Sequence, residues 1–377
     1  MRLIHLSDFH LGKRVNEFSM LEDQKYIVKQ ILEIIEAKKV DGVLVAGDIY
    51  DKSVPGEEAI GLWNYFLNGL AEKKIPVYAI SGNHDSAVRV SSYRELVNLS
   101  GIHLAPAYAG QVVSYTMKDD FGSVNIYLLP FIKPAIVRAV FPKEEIKDYT
   151  DACRVVIQNM NVNPRERNIL VAHQYVAGAK RCESEELTIG GLDCVDASVF
   201  DVFDYVALGH LHGQQWVERE TIRYCGTPLK YSFSEINHHK CVVLVELKEK
   251  GQVEISKEEL QPLHDMREIK GSYETLTQKK NYENTNKDDY LHVILTDEED
   301  VYEAMAKLRL IYPNMMKLTY DNTRTREKRD IQDVVDVERK SPLELIEDFY
   351  EIQNNQKMTE EQRDFCSDLI ESIWEVK

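Results

Sequence analysis

Short apolar segments alternate with longer segments of helical periodicity between Met1 and Leu247. Leu3–Leu6, Gly42–Ala46 and Val77–Ile80 are compact apolar runs, which predict buried strands. Met20–Ala37 repeats apolar residues at helical spacing, and the alternation of the two patterns predicts an α/β layered sheet sandwich. The other predicted elements are helices at Glu57–Ala71 and Lys143–Met160 and strands at Val112–Met117, Val124–Leu129, Ile169–Ala172, Tyr205–Leu208, Ile222–Tyr224 and Val242–Leu247.

The pattern changes around Gln261–Gly271. Asn, Thr and Lys dominate Lys270–Asp289, which predicts an exposed loop. A small β-α-β unit follows, with predicted elements at Tyr290–Leu295, Asp300–Leu310 and Met316–Tyr320. We therefore divide the chain into a first domain (1–264), a small α+β domain (265–340) and a C-terminal helical segment (341–377).

The C-terminal segment contains two helix-start signals. Ser341 and Glu344 have the spacing of a capping box, with a proline between them at the first helical position. Thr359 and Gln362 repeat that spacing at the start of a second helix. Both helices carry an apolar face, which must pack against either a partner or the chain's own core. The apolar positions are Leu345, Ile346, Phe349, Tyr350, Phe365, Leu369, Ile370, Ile373 and Trp374.

Composition narrows the class of protein. The chain of 377 residues is 44% hydrophobic and 29% charged, which are globular values. Its apolar runs fall far short of the roughly 18 residues that span a bilayer, and Asp8 precedes any signal-peptide core, so we expect a cytoplasmic protein without a membrane anchor. Its six cysteines lack C-x-x-C spacing, which favours reduced thiols. Because the net charge is −17, any nucleic-acid binding must use a local basic patch, bound metal or a partner.

Polar clusters follow the predicted strands at the point where each strand ends. Open α/β sheets place their ligands at the carboxyl ends of strands, so we expect these clusters to converge. A single cluster of this kind is usually an ordinary polar loop, but five in register with strand ends indicate a functional site. The residues are Asp8 and His10, then Asp48 and Asp51, then Asn83 and His84, then His173, and finally His210 and His212.

The spacing and chemistry of these residues indicate a metal site. Asp8 and His10, like His210 and His212, are two residues apart, so in extended backbone both side chains of a pair point to one face. Carboxylate, imidazole and amide ligands without thiolate suit Mn²⁺, Fe²⁺ or Zn²⁺. Asp48 stands alone after its strand and is placed to bridge two ions. Glycines at positions 47, 82 and 209 are expected to allow sharp turns there.

The motif set D-x-H, G-D-x-x-D, G-N-H-D, H and G-H-x-H resembles the calcineurin-like metallophosphoesterase superfamily over Met1–Leu247. The resemblance implies a four-layer α/β sandwich with two metal ions. It also implies that His84 contacts the scissile phosphate and protonates the leaving oxygen, while Asp51 accepts a hydrogen bond from His84. The implied ligands are Asp8, His10, Asp48 and His212 for one ion, and Asp48, Asn83, His173 and His210 for the other.

Longer stretches resemble the SbcD family, the nuclease subunits of bacterial SbcC–SbcD complexes. They are Ile4–Gly12, Tyr205–His212 and Gly226–Glu235, and the last lies outside the metal motifs. This resemblance implies Mn²⁺-dependent cleavage of DNA ends and hairpins, a capping domain at 265–340, a homodimer, and C-terminal helices that dock on the SbcC coiled coil. The chain contains no G-x-x-x-x-G-K-[ST] motif, so ATP hydrolysis is expected of SbcC.

Other interpretations are open at this point. The chain could instead be a phosphodiesterase for small nucleotides or a phosphoprotein phosphatase, although Lys52 follows Asp51 where phosphoprotein phosphatases have arginine. It could also serve mainly as a scaffold that tethers SbcC. A basic run that includes Lys328 either contacts DNA phosphates or is a solvated loop. The candidate DNA-binding residues in that run are Arg324, Arg326 and Arg329.

Overall fold

The computed structural model describes residues 1–182, 185, 194–323, 325, 341–354 and 357–375. The strands in these ranges are β1 (Arg2–Leu6), β2 (Arg14–Val15), β3 (Phe18–Ser19), β4 (Gly42–Ala46), β5 (Val77–Ile80), β6 (Ile102–Leu104), β7 (Val113–Asp119), β8 (Gly122–Leu129), β9 (Arg167–His173), β10 (Tyr175–Val176), β11 (Cys194–Val195), β12 (Tyr205–Gly209), β13 (Gln215–Val217), β14 (Arg219–Tyr224), β15 (Cys241–Leu247), β16 (Val253–Glu259), β17 (Met266–Gly271), β18 (Tyr290–Leu295) and β19 (Met315–Tyr320). The α-helices are α1 (Leu21–Ala37), α2 (Glu57–Glu72), α3 (Ala87–Val90), α4 (Arg94–Asn98), α5 (Pro134–Val140), α6 (Tyr149–Asn159), α7 (Tyr273–Thr277), α8 (Lys279–Tyr282), α9 (Ala304–Arg309), α10 (Pro342–Asn354) and α11 (Glu360–Glu375).

Two six-stranded sheets pack face to face. The first has the order β16-β15-β1-β4-β5-β6 and the second the order β13-β14-β12-β9-β8-β7. In the first sheet β1, β4, β5 and β6 are parallel, and in the second β8, β9, β12 and β14 are parallel. Leu44 of the first sheet and Val171 of the second belong to one buried cluster, so the space between the sheets is filled by apolar side chains.

Helices cover the outer faces of both sheets. Ile31 of α1 and Phe66 of α2 share a buried cluster with Val45 of the first sheet. Val156 of α6 and Leu170 of the second sheet belong to a separate cluster. The order helix, sheet, sheet, helix confirms the predicted four-layer α/β sandwich.

Some element boundaries differ from the predictions. The helix expected at Lys143–Met160 begins only at Tyr149, because the Asp148 side chain accepts the backbone N–H of Asp151 at 2.9 Å and caps the helix. The edge strand β16 was not predicted, because it has only two apolar residues in alternation, Val253 and Ile255.

A separate three-stranded sheet of parallel strands follows, in the order β17-β18-β19; residues 266–320 are called the small unit below. The prediction of an exposed loop at Lys270–Asp289 is wrong, because the segment contains the end of β17 and the helices α7 and α8. Ser272 caps α7, and Leu276 is buried in the core of the small unit. Helices this short show no periodicity in a sequence.

Both C-terminal capping boxes are confirmed. The Ser341 N–H donates to Glu344 Oε2 at 2.6 Å and the Glu344 N–H to Ser341 Oγ at 3.3 Å. Thr359 and Gln362 exchange the same pair of bonds at 3.0 and 3.3 Å. Among the described helices, none combines the length and apolarity that crossing a bilayer requires.

Candidate metal centre

The five polar clusters meet where the carboxyl ends of the two sheets face each other. His173, the last residue of β9 in the second sheet, crosses to the first sheet, with Nδ1 2.8 Å from the carbonyl oxygen of Ala46. Its Nε2 lies 2.9 Å from Oδ1 of Asn83, which is also 3.0 Å from Nδ1 of His210. His210 in turn donates its backbone N–H to Oδ1 of Asp8 at 3.0 Å. Residues from both sheets therefore form one continuous cluster.

Asp48 lies at the centre of this cluster. Its Oδ2 is 3.4 Å from Nε2 of His173, 3.7 Å from Nε2 of His10 and 4.0 Å from Nε2 of His84. Its Oδ1 accepts the backbone N–H of His84 at 2.9 Å. The rings of His10 and His212 are 5.2 Å apart, which brings His212 to the His10 side of Asp48. One carboxylate oxygen thus faces imidazoles on both sides, the arrangement expected of a bridging ligand.

The convergence of Asp8 and His10 does not come from extended backbone, so that part of the prediction is wrong. Both residues have positive φ, 52° and 45°, as does Asp48 at 48°. The loop is held against the next strand end, because the N–H of Asp8 donates to the Gly47 carbonyl and that of His10 to the Asp48 carbonyl, each at 3.0 Å. Left-handed conformations at non-glycine residues cost energy and concentrate at functional sites.

The three glycines at the site serve two different purposes. Gly47 has φ of +86° and makes the predicted turn. Gly82 and Gly209 have no positive φ; instead, a Cβ at Gly82 would overlap the Asp48 carboxylate, and one at Gly209 would overlap the Ala46 carbonyl. These two glycines are therefore required by the close approach of neighbouring loops rather than by turn geometry.

Burial makes the charges of the cluster interdependent. Burial raises the pKa of Asp8 to about 6, with Asp48 adding to the rise. Burial alone would lower the pKa of His173, but the attraction and hydrogen bond of Asp48 outweigh it and raise that pKa to about 9. Burial and the neighbouring His173 lower the pKa of His210 to about 3. Burial also lowers the pKa of His10 well below its usual value. His10 is therefore neutral and keeps a lone pair that can bind a metal ion.

His10 provides the clearest test of whether ions fit here. Its side chain is only 1% exposed, yet among the residues that the structure describes neither ring nitrogen has a hydrogen-bond partner. A buried polar atom without a partner is rare in native proteins and requires an explanation. The cluster contains two sets of possible donor atoms, and the atoms within each set lie within 4.8 Å of one another. One set comes from His10, Asp48 and His84, and the other from Asp8, Asp48 and His173. Oxygen and imidazole donors arranged in this way fit divalent cations.

His84 differs from the other imidazoles in exposure and contacts. Its side chain is 23% exposed, whereas that of His173 is fully buried. Its Nδ1 lies 3.2 Å from the backbone carbonyl oxygen of Asp51, so the expected contact with Asp51 is made by the main chain rather than by the carboxylate. The carboxylate is turned away because it accepts a hydrogen bond from Nζ of Lys13 at 2.7 Å. Asp51 therefore contacts His84 through its main chain.

Two carboxylates that support the site were not predicted. Oδ2 of Asp85 accepts the backbone N–H groups of both Ile49 and Gly82 at 3.0 Å, which ties two strand-end loops together. Glu235 is fully buried and lies 3.2 Å from Nδ1 of His212 and 2.6 Å from Nζ of Lys240. A carboxylate behind a ligand histidine fixes the orientation of its ring.

The signal for these two residues was present but incomplete. Asp85 directly follows His84, and Glu235 ends the segment Gly226–Glu235 that indicated the family. Neither position, however, identifies the distant backbone or side chain that it contacts. The candidate DNA-binding residues Arg324, Arg326 and Arg329 lie outside the described residues.

Comparisons with known proteins agree with this geometry. Residues 1–214 match the family model described as calcineurin-like phosphoesterase. Residues 262–354 match the model described as type 5 capsule protein repressor C-terminal domain. The chain is 32% identical to a Staphylococcus epidermidis protein that is named as the D subunit of the SbcCD nuclease, over 99% of both chains.

Two solved structures are also similar. A Thermus thermophilus protein is 11% identical, with a TM-score of 0.39 over 68% of this chain and 98% of its own. A dimetal phosphatase from Danio rerio is 11% identical, with a TM-score of 0.42 over 70% of this chain and 98% of its own.

Fold, strand-end residues and the match over residues 1–214 together define the class of protein, a calcineurin-like phosphoesterase. Within that class, the chain belongs to the SbcD family of nuclease subunits.

Proposed function

We propose that this protein is a metal-dependent DNA nuclease that hydrolyses phosphodiester bonds at DNA ends and hairpins, as an exonuclease and endonuclease. It works with an SbcC ATPase in DNA repair, recombination and replication in the cytoplasm. One observation carries the proposal: the buried Asp48 carboxylate faces the imidazoles of His10, His84 and His173, and within the described residues neither nitrogen of His10 has a hydrogen-bond partner. Such a site is incomplete without cations, and the 32% identity to a protein named as a nuclease subunit indicates the substrate class.

Two ions, which we propose are Mn²⁺, would supply Lewis acidity and positive charge at the scissile phosphate. His173 contacts the Ala46 carbonyl through Nδ1, which leaves Nε2 directed into the cluster. Glu235 similarly accepts from Nδ1 of His212 and so orients that ring. The ligands that we assign are Asp8, His10, Asp48 and His212 for one ion, and Asp48, Asn83, His173 and His210 for the other.

His84 supplies the proton in this proposal. Its Nδ1 donates to the Asp51 carbonyl, so Nε2 of the protonated ring can donate toward the exposed side of the cluster. Its partial exposure lets a substrate phosphate approach, which the fully buried His173 does not allow. Proton donation to the leaving oxygen by a positioned histidine is worth about 10²–10⁴-fold in rate.

DNA must reach this site on a protein of net charge −17. We propose that the bound ions and the basic side chains of Arg324, Arg326 and Arg329 in the capping domain (265–340) supply the local positive charge. The whole-chain field repels phosphate, so affinity for DNA is expected to depend on these local groups.

We propose two protein partners. The C-terminal helices α10 and α11 expose Phe349 (65%) and Phe365 (67%), which fit a partner with an apolar groove, such as the base of the SbcC coiled coil. The short helices α3 and α4 after His84 expose Val88, Leu96 and Leu99, which supports a homodimer through this segment.

The experiment is a nuclease assay with the pure chain. Labelled single-stranded and hairpin DNA are incubated with Mn²⁺, Mg²⁺ or a chelator, beside a His84→Ala control. We expect cleavage with Mn²⁺, none with chelator and little in the control. Cleavage that persists in chelator, or in the control, would contradict the proposal.

A further inference from the structure

The first turn of α1 connects the small unit to the metal centre through two consecutive buried residues. Asp23 is 0% exposed and Gln24 is 2% exposed. Because consecutive residues on a helix point about 100° apart, two such side chains reach different neighbours. Here one reaches the small unit and the other reaches the loop that carries His10.

Asp23 binds the small unit and the segment that leads into it. Its Oδ2 accepts the hydroxyl of Tyr290, the first residue of β18, at 2.7 Å. Its Oδ1 accepts the backbone N–H of His264 at 3.0 Å, and Nδ1 of His264 is 3.2 Å from both carboxylate oxygens. Within the part of the chain that the structure describes, all hydrogen bonds to the Asp23 carboxylate come from these two residues. A buried carboxylate that loses such donors is strongly destabilised, so Asp23 requires the small unit in this position.

Gln24 holds the metal-binding loop. Its Nε2 donates to the His10 carbonyl oxygen at 2.8 Å, and its Oε1 accepts the Gly12 N–H at 2.9 Å. Nε2 also donates at 3.0 Å to the hydroxyl of Tyr231, which itself donates to the Phe9 carbonyl at 2.5 Å. These bonds fix a loop whose residues have positive φ and which would relax without them.

We propose that Asp23 and Gln24 are positioning residues that couple the placement of the small unit to the conformation of the metal-binding loop. A shift of the small unit removes the donors from Asp23, moves the first turn of α1 and loosens the loop at His10. Metal affinity at His10 thereby becomes dependent on the small unit, and by linkage a bound ion stabilises the small unit in its place. The metal part of this inference rests on the proposed function, whereas the loop part does not.

The test uses the full chain with Tyr290→Phe, which removes only the hydroxyl that reaches Asp23. Other contacts keep the small unit attached, such as the packing of the Phe233 ring on that of His292, with ring centroids 5.3 Å apart. Tyr312→Phe is the matched control, because it also removes one buried hydroxyl of the small unit. That hydroxyl donates to the Leu276 carbonyl at 2.9 Å within the core of the small unit and does not contact Asp23.

The first readout is hydrogen–deuterium exchange in the metal-free protein. We expect the peptide that covers Asp8–Lys13 to exchange about 3- to 10-fold faster in Tyr290→Phe and at the wild-type rate in Tyr312→Phe. The second readout is the Mn²⁺ dissociation constant, which should rise by about the same factor in Tyr290→Phe alone. In a Gln24→Met background, Tyr290→Phe should have no further effect on either readout.

Unchanged exchange in Tyr290→Phe would overturn the coupling, as would an equal change in the two tyrosine variants or an additive effect with Gln24→Met. Failure of the wild type to bind Mn²⁺ would instead contradict the proposed function. Because exchange is measured without metal, it decides the coupling in either case.

Discussion

The metal centre buries polar side chains, whereas the C-terminal helices expose apolar side chains. At the metal centre, polar groups such as Asp48 and His10 are buried, and no hydrogen bond from the described part of the chain reaches either ring nitrogen of His10. On α10 and α11, apolar groups such as Phe349 and Phe365 are exposed. Both situations are unfavourable for an isolated chain, the first because of desolvation and the second because of apolar hydration. In the proposed function, cations complete the first region and an apolar partner completes the second.

The difference also concerns rigidity. Buried hydrogen bonds from both sheets fix the metal centre before any ion binds, such as that of His173 with the Ala46 carbonyl. The two C-terminal helices are instead linked by partly exposed contacts, such as Arg363 with Glu347 at 2.8 Å. We therefore expect substitutions at the metal centre to affect chemistry strongly, and substitutions on the helices to affect assembly alone.

The largest effect is expected for His84→Ala. Loss of the proton donor should lower the rate of phosphodiester cleavage by about 10²–10⁴-fold, while the metal content by elemental analysis stays near that of the wild type. If the variant loses its ions together with its activity, His84 binds a metal ion together with His10 and Asp48, whose donor atoms lie close to it. That result would contradict the role of proton donor.

Truncation after Lys340 separates the two regions directly. It removes the exposed apolar faces of α10 and α11, so affinity for SbcC should fall by about 100-fold or more, and co-purification should be lost. Mn²⁺-dependent cleavage of single strands should persist, because the metal centre lies entirely before the truncation. A chain that unfolds or loses basal cleavage would show that the helices belong to the core of this protein.

Metal binding should depend on pH through two ligands. Without metal, the pKa of His173 is about 9 and that of Asp8 about 6, both raised as described above. Both groups must lose a proton to bind an ion. Between pH 8 and 6 the binding of an ion should release about one proton from His173, and below pH 6 Asp8 should release a second.

The overall affinity for Mn²⁺ should therefore fall about tenfold for each unit by which the pH is lowered from 8 to 6. Below pH 6 it should fall more steeply. Calorimetry in two buffers of different ionisation enthalpy counts the released protons. A proton count that does not change between pH 8 and pH 5 would contradict this assignment of the ligands.

The smallest effect concerns the basic run. Changing Arg324, Arg326 and Arg329 together to glutamine should weaken DNA binding and reduce the salt dependence of the binding constant by about 0.9 for each lost phosphate contact. Titrations at several salt concentrations measure both quantities. The control for a general loss of positive charge is Lys250→Gln, at a lysine that pairs with Asp204 at 2.7 Å. An unchanged salt dependence would identify the run as an ordinary loop.

The layers and the site clusters could be predicted because they depend on local patterns. Apolar runs such as Gly42–Ala46 identify strands, and the polar residue that follows each run marks a strand end, as Asp48 does. The contacts of Gln24 with the loop at His10 could not be predicted, because they join a helix to a loop and have no local signature. The backbone at Asp8 was mistaken for extended because the spacing of side chains does not reveal the sign of φ. The short helix α7 could not be predicted either, because it buries a single residue of its own, Leu276, which leaves no periodic pattern in the sequence.

The most direct test of the central claim is a count of the Mn²⁺ ions that bind to the metal-free chain. The buried nitrogens of His10 and the central position of Asp48 predict two ions for each wild-type chain and none for Asp48→Asn, because both ions share Asp48 in the proposed ligand set. The control is Asp51→Asn, since the Asp51 carboxylate pairs with Lys13 and lies 3.7 Å from Nδ1 of His10 but is outside the proposed ligand set, so two ions should still bind. A wild-type chain that binds no Mn²⁺, or an Asp48→Asn chain that binds two ions, would contradict the account.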